Sequence, residues 1–89
     1  MKVTVPEQLR KLVDNNSEVE ASGNTVQEVL DDLVNQFPDV KERLFKSNGE
    51  INRFINVYVN DEDIRFLSGT ITPVKSSDVI CILPMIAGG

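Results

Sequence analysis

The stretch Asp78–Gly89, DVICILPMIAGG, decides the fold. Its first part, DVICILP, is almost entirely apolar, as expected of a strand in the middle of a sheet. Alternation along it places Ile80 and Ile82 inward. Pro84 then pushes Leu83 into extended backbone and has no N–H to give a ladder, so the chain is expected to leave the sheet there, with residues 84–89 as a protruding tail. Five residues beyond Pro84 reach roughly 17 Å at about 3.3 Å each. Gly88 and Gly89 carry no Cβ and pass a slot too narrow for other residues. At a glycine usage of roughly 7%, about one chain in 200 ends in Gly-Gly by chance, and chain ends are ordinarily frayed. The dipeptide therefore takes its meaning from the elements upstream.

Those elements are readable in turn. RFINVYVN, Arg53–Asn60, alternates as a strand with Ile55, Val57 and Val59 on a core face and Phe54, Asn56, Tyr58 and Asn60 on the other. DEDIRF, Asp61–Phe66, gives a polar turn and then a short edge strand around Ile64 to Phe66. Asn48-Gly49 signals a turn before Arg53. Further back, Thr25 stands three residues before Glu28, the spacing of a capping box, and Val26, Val29, Leu30, Leu33 and Phe37 form one apolar stripe that Pro38 stops. A helix is predicted there, its stripe covered by a sheet, with a short second helical turn between Asp39 and Phe45. At the start, Lys2–Val5 reads as a strand closed by Pro6. A polar stretch with Leu9 and Leu12 dipping inward leads to Ser17–Ala21, a second strand antiparallel to the first, with Val19 and Ala21 on one face.

Two strands, a long helix, then two or three strands with the most apolar one last describe an α+β fold. The expectation is a β-grasp: a mixed sheet of four to five strands covered by one long helix, in a single domain over residues 1–89.

Composition narrows the function. With nine basic and fourteen acidic residues the net charge is −5, and no lysine or arginine run offers a phosphate-tracking surface, so nucleic acid is excluded and basic protein partners are favoured. The N-terminus has no apolar run of signal-peptide or membrane-span length, and a lone cysteine forms no internal disulfide; a cytoplasmic protein without a membrane partner is expected. Histidine is absent, and with it the commonest general base and metal ligand. There is no CxxC pair and no phosphate-binding glycine loop. Catalysis by this chain alone is not expected.

Three further features have structural readings. Cys81 lies within an apolar strand and reads as a small hydrophobe rather than a sulfur relay. Asp61, Glu62 and Asp63 read as a solvated hairpin turn rather than a metal site, so no metal is expected. Phe54 and Tyr58 lie opposite the core face, where an exposed aromatic pair marks a candidate docking surface.

The capped helix NTVQEVLDDL together with SSDVICILPMIAGG resembles the ThiS/MoaD sulfur carriers, ubiquitin-like β-grasp proteins, over essentially the whole chain. RFINVYVNDEDIRF and ILPMIAGG look most like the family's cysteine-biosynthesis branch, more than its thiazole or molybdopterin branches. The resemblance implies that the Gly89 carboxylate is adenylated by an E1-like enzyme and converted to a thiocarboxylate. Gly88, Ala87 and Ile86 match the tail that enters the partner's active site. The carrier binds no cofactor; ATP is used by the activating partner, and the sulfur acceptor is a pyridoxal-phosphate cysteine synthase or another sulfur-accepting enzyme. A ubiquitin-like modifier forming isopeptide bonds begins from the same adenylate, and a plain interaction module remains the third class.

Overall fold

Pro6 follows the first strand and Pro38 follows the long helix, and between them lie the second strand and that helix. The computed structural model describes residues 1–84. Strand β1 (Lys2–Thr4) pairs antiparallel with β2 (Glu18–Glu20), Val3 opposite Val19. Helix α1 (Val26–Gln36) and the short α2 (Lys41–Leu44) follow, then β3 (Ile55–Val59), β4 (Glu62–Asp63) and β5 (Val79–Pro84). The five strands form one mixed sheet in the order β2-β1-β5-β3-β4, with β5 parallel to β1 and antiparallel to β3. The last strand is therefore central, as its apolar sequence predicts.

The core lies between one sheet face and α1. Val26, Val29, Leu30 and Leu33 are completely buried, against Val3, Val57, Ile80 and Ile82 from the sheet. Phe37 ends α1, its N–H reaching the Leu33 carbonyl at 2.9 Å, and packs partly buried on the same cluster. Only half of the predicted capping box forms. Thr25 Oγ1 accepts the Glu28 N–H at 3.2 Å, but Glu28 Oε1 accepts from Asn24 N–H at 3.0 Å rather than from Thr25. Thr25 is drawn into an antiparallel bridge with Pro73. Gly23 lies against this first turn: a Cβ on it would stand 2.7 Å from the Val29 nitrogen and from Glu28 Cβ.

Five local expectations are corrected. The polar stretch after Pro6 is a 310 helix over Glu7–Val13, which buries Leu9 and Val13 while Leu12 is only partly covered. The strand read over Arg53–Asn60 is limited to Ile55–Val59, and Phe54 lies in the turn before it, its N–H held by Asn52 Oδ1 at 3.0 Å.

The edge strand is Glu62–Asp63, and Ile64–Phe66 is a 310 helix. Its cause is Asp63, whose Oδ1 accepts the Arg65 N–H at 2.8 Å and turns the chain out of the ladder. Asp63 is consequently 8% exposed and is not part of a solvated turn; the turn itself is Asn60-Asp61, with φ of 49° and 72°.

Pro84, finally, does not leave the sheet. It pairs with Ile55 as the last residue of β5. The Asn60 N–H donates to the Val79 carbonyl at 2.9 Å, so hydrogen-bonded pairs recur at 58/81 and 56/83. The 55/84 pair lies one step beyond 56/83, at a non-hydrogen-bonded position where β3 needs no N–H from residue 84. The expectation of a tail beginning at 84 concerns, past this residue, positions outside the described ones.

Candidate functional site

The end of β5 carries the sequence into MIAGG, so the candidate site is built around that end. Gly89, Gly88, Ala87 and Ile86 lie outside the described residues; what the structure gives is their platform. Because Ile80 and Ile82 face α1, Cys81 and Leu83 face the opposite, open side of the sheet. Cys81 stands opposite Tyr58, and Leu83 opposite Asn56. Leu83 is 42% exposed and Tyr58 half-buried.

Phe54 is 60% exposed and borders a cleft shared with Ile55, Asn56, Val57 and Ile64, a lining that does not include Tyr58. The two predicted docking aromatics therefore occupy separate places, Tyr58 on the open face and Phe54 at the mouth of the cleft. Sequence reading passed over Leu83, although the alternation that turns Ile82 inward turns Leu83 out. It also passed over Phe66 and Ile71, at 85% and 73% exposed, because both lie in 310 turns with no period to announce a face.

Electrostatics support a platform rather than a reaction centre. Asp63 and Arg65 make a two-pronged ion pair, with Nη2 2.6 Å from Oδ2 and Nε 3.1 Å from each oxygen. Hydrogen bonds from Arg65 hold the Asp63 carboxyl below the usual carboxylate range despite its burial, and Asp63 in turn raises Arg65. Burial, reinforced by the charge of Asp61, pushes the Cys81 thiol up, so it is a weak nucleophile at neutral pH. Among the described residues no three His, Cys, Asp or Glu side chains are grouped to hold a metal, and no helix is long and apolar enough to cross a membrane.

The sheet order, with a central C-terminal strand and α1 across one face, defines a ubiquitin-like β-grasp protein. The ThiS family model matches residues 3–89, and the chain belongs to that family. Sulfur carrier protein CysO of Mycobacterium tuberculosis is 42% identical over 89 residues, spanning 98% of this chain and 96% of that protein. The crystal structure of the Amycolatopsis orientalis BexX/CysO complex contains a chain 45% identical with a TM-score of 0.90, covering 99% of this chain and 98% of that one. Small archaeal modifier protein 1 of Methanosarcina acetivorans is 34% identical with a TM-score of 0.86, covering 99% and 94%.

Proposed function

We propose that residues 1–89 act as one β-grasp domain, a cytoplasmic sulfur carrier that holds sulfur as a thiocarboxylate on Gly89. The chain is a protein co-substrate of the sulfur-carrier kind rather than an enzyme, as its family and its CysO relatives are. The observation that carries the finer reading is that the central strand β5 runs to Pro84 and the sequence continues directly into Met-Ile-Ala-Gly-Gly. A carboxylate is a poor electrophile, so activation comes from an E1-like partner that uses ATP. The Gly89 carboxylate attacks the α-phosphorus, releasing pyrophosphate and leaving an acyl-adenylate. Hydrosulfide supplied by the partner then attacks the acyl carbon; the C–S bond forms as the C–O bond to AMP breaks, and loss of the S–H proton leaves the thiocarboxylate.

Gly88, Ala87 and Ile86 would line the partner's channel, with Tyr58 and Phe54 touching its surface. The sulfur then attacks an electrophilic acceptor, for which an aminoacrylate on a pyridoxal-phosphate cysteine synthase fits best; a thiazole or molybdopterin precursor is the alternative. The likeness to an archaeal modifier protein favours a second reading, in which a lysine amine captures the same adenylate as an isopeptide. Incubating the thiocarboxylate form with a cysteine synthase and an activated serine tests the acceptor. A cysteine adduct on the Gly89 peptide supports the first reading, and sulfur transfer only to a thiazole or molybdopterin precursor overturns it.

A further inference from the structure

The central strand β5 is flanked by β1 and β3, and each flank stops near its end. Among the described residues the last pair on the β1 side is Thr4 with Cys81. The Ala21 N–H donates to the Met1 carbonyl at 3.0 Å and the Val5 N–H to the Ser17 carbonyl at 2.8 Å, so odd-numbered residues of β1 turn toward β2 and even-numbered ones toward β5. The next even residue is Pro6, which has no N–H to give.

On the β3 side the ladder has a definite phase. Hydrogen-bonded pairs at 58/81 and 56/83 make 54/85 the next one in line. The Phe54 N–H that this phase assigns to residue 85 is taken instead by Asn52 Oδ1 at 3.0 Å. The Asn52 carbonyl accepts the Ile55 N–H at 3.0 Å, closing a turn over residues 52–55. Its N–H donates to the Leu44 carbonyl at 2.8 Å and ties that turn to the end of α2. Side chain, carbonyl and amide of one residue thus turn the chain out of the sheet at the level of Pro84. The stopping point matters for Gly89. Five residues past Pro84 reach roughly 17 Å, whereas further pairs at 54/85 and 53/86 would leave three, with a reach of roughly 10 Å.

We infer that Asn52 is a positioning residue for the tail: by withholding the Phe54 N–H from residue 85 it stops the ladder at the 55/84 pair and sets the length of chain that carries Gly89 into the activating enzyme. The use of that length rests on the carrier reading above, and the stopping point rests on the ladder geometry. A chain without the Asn52 acceptor gains the 54/85 pair in its resting form and must break it before activation, so the effect falls on KM rather than kcat.

The test compares Asn52→Val and Asn52→Ala, whose side chains accept no hydrogen bond, with Asn52→Asp, which keeps the acceptor. Val also favours extended backbone. In ATP–pyrophosphate exchange by the activating enzyme of the same organism, Asn52→Val should raise KM for the full-length chain about three- to tenfold, as one net hydrogen bond would, with kcat changed less than about twofold. Asn52→Ala should move KM the same way, and Asn52→Asp should restore it to within about twofold of the natural chain. Hydrogen exchange at the Met85 amide should be slower in Asn52→Val than in the natural chain or Asn52→Asp, because the 54/85 pair would bond that amide. Unchanged KM, or unchanged hydrogen exchange at Met85, in the folded Val or Ala variant overturns the inference. Equal effects of Asp and Val assign Asn52 to the framework alone and also overturn it. A natural chain that supports no pyrophosphate exchange overturns the carrier reading instead, and hydrogen exchange at Met85 still decides where the ladder stops.

Discussion

Asn60 clasps Asp78 across the start of the central strand: its Nδ2 donates to Asp78 Oδ1 at 2.8 Å, while its own Oδ1 accepts the Val79 N–H at 2.9 Å. The clasp ties the left-handed turn at Asn60, φ 49°, to the first residue of β5. Asn60→Ala should lose both the bonds and the tolerance of positive φ, the latter alone costing about 1–2 kcal/mol. Asn60→Gly keeps the backbone freedom and loses only the bonds. Urea unfolding should rank the natural chain above Gly and Gly above Ala; equal stability of all three contradicts the assignment.

Stability should also fall in acid. Hydrogen bonds from Asn60 and then from the Lys75 N–H hold the Asp78 carboxyl below its ordinary value, as Arg65 does for Asp63. A carboxyl whose folded pKa lies below its unfolded value stabilises the fold above the unfolded pKa, about 3.9, and loses that contribution as pH falls through the folded value. Melting temperature should therefore be nearly flat down to about pH 5 and drop below about pH 4. The doubly neutral variant Asp63→Asn, Asp78→Asn should start lower and show a shallower acid limb. Parallel limbs would show that these two carboxyls do not carry the effect.

Gly23 is a packing position. Because a Cβ there would meet the backbone nitrogen of Val29 at 2.7 Å, Gly23→Ala must displace the first turn of α1. A loss of about 1–3 kcal/mol is expected, the range for overpacking. Leu33→Ala, in the completely buried stripe, should cost about 2–5 kcal/mol. Leu83→Ala, on the open face, should stay within about 0.5 kcal/mol. Denaturant titration reads all three, and a Leu83 effect as large as that of Leu33 would reverse the face assignment.

Elements whose cause is local were legible in the sequence. Thr25 before the Val26–Leu33 stripe, Val57 and Val59 in alternation and the unbroken apolar run at Ile80–Leu83 each announce an element through neighbouring residues. The edge at Asp63 was not legible, because a buried carboxylate and the Arg65 guanidinium decide it together. Nor was the ladder position of Pro84, since hydrogen-bond phase in an antiparallel pair is set by the partner strand's register. The cleft beside Phe54 draws its walls from the Gly49–Val57, Asp63–Arg65 and Gly69–Thr70 segments, whose meeting no local pattern encodes. For the tail the sequence is the whole source, as Met85–Gly89 lie outside the described residues.

Tyr58 supplies a test of the open face as a docking surface. Tyr58→Ala should weaken binding to the activating enzyme by about 1–3 kcal/mol, within the span of interface hot spots. Val57→Ala should instead lower thermal stability, Val57 being 2% exposed. Equal destabilisation by both, with binding intact, would place Tyr58 in the framework alone.

Cys81 should be dispensable. Its raised thiol pKa predicts slow alkylation at neutral pH compared with a free thiol, and Cys81→Ala should carry sulfur at the natural rate. Loss of sulfur loading in that variant, with the fold preserved, would make Cys81 a relay.

The central claim is that sulfur is held at Gly89, and the most direct measurement is the mass of the C-terminal peptide of the protein isolated from its own cells. Exchange of one carboxylate oxygen for sulfur, confined to the peptide ending in Gly88-Gly89, is the predicted result. A peptide found only as carboxylate or joined to lysine side chains of other proteins, with no sulfur-bearing form under any growth condition, contradicts the account.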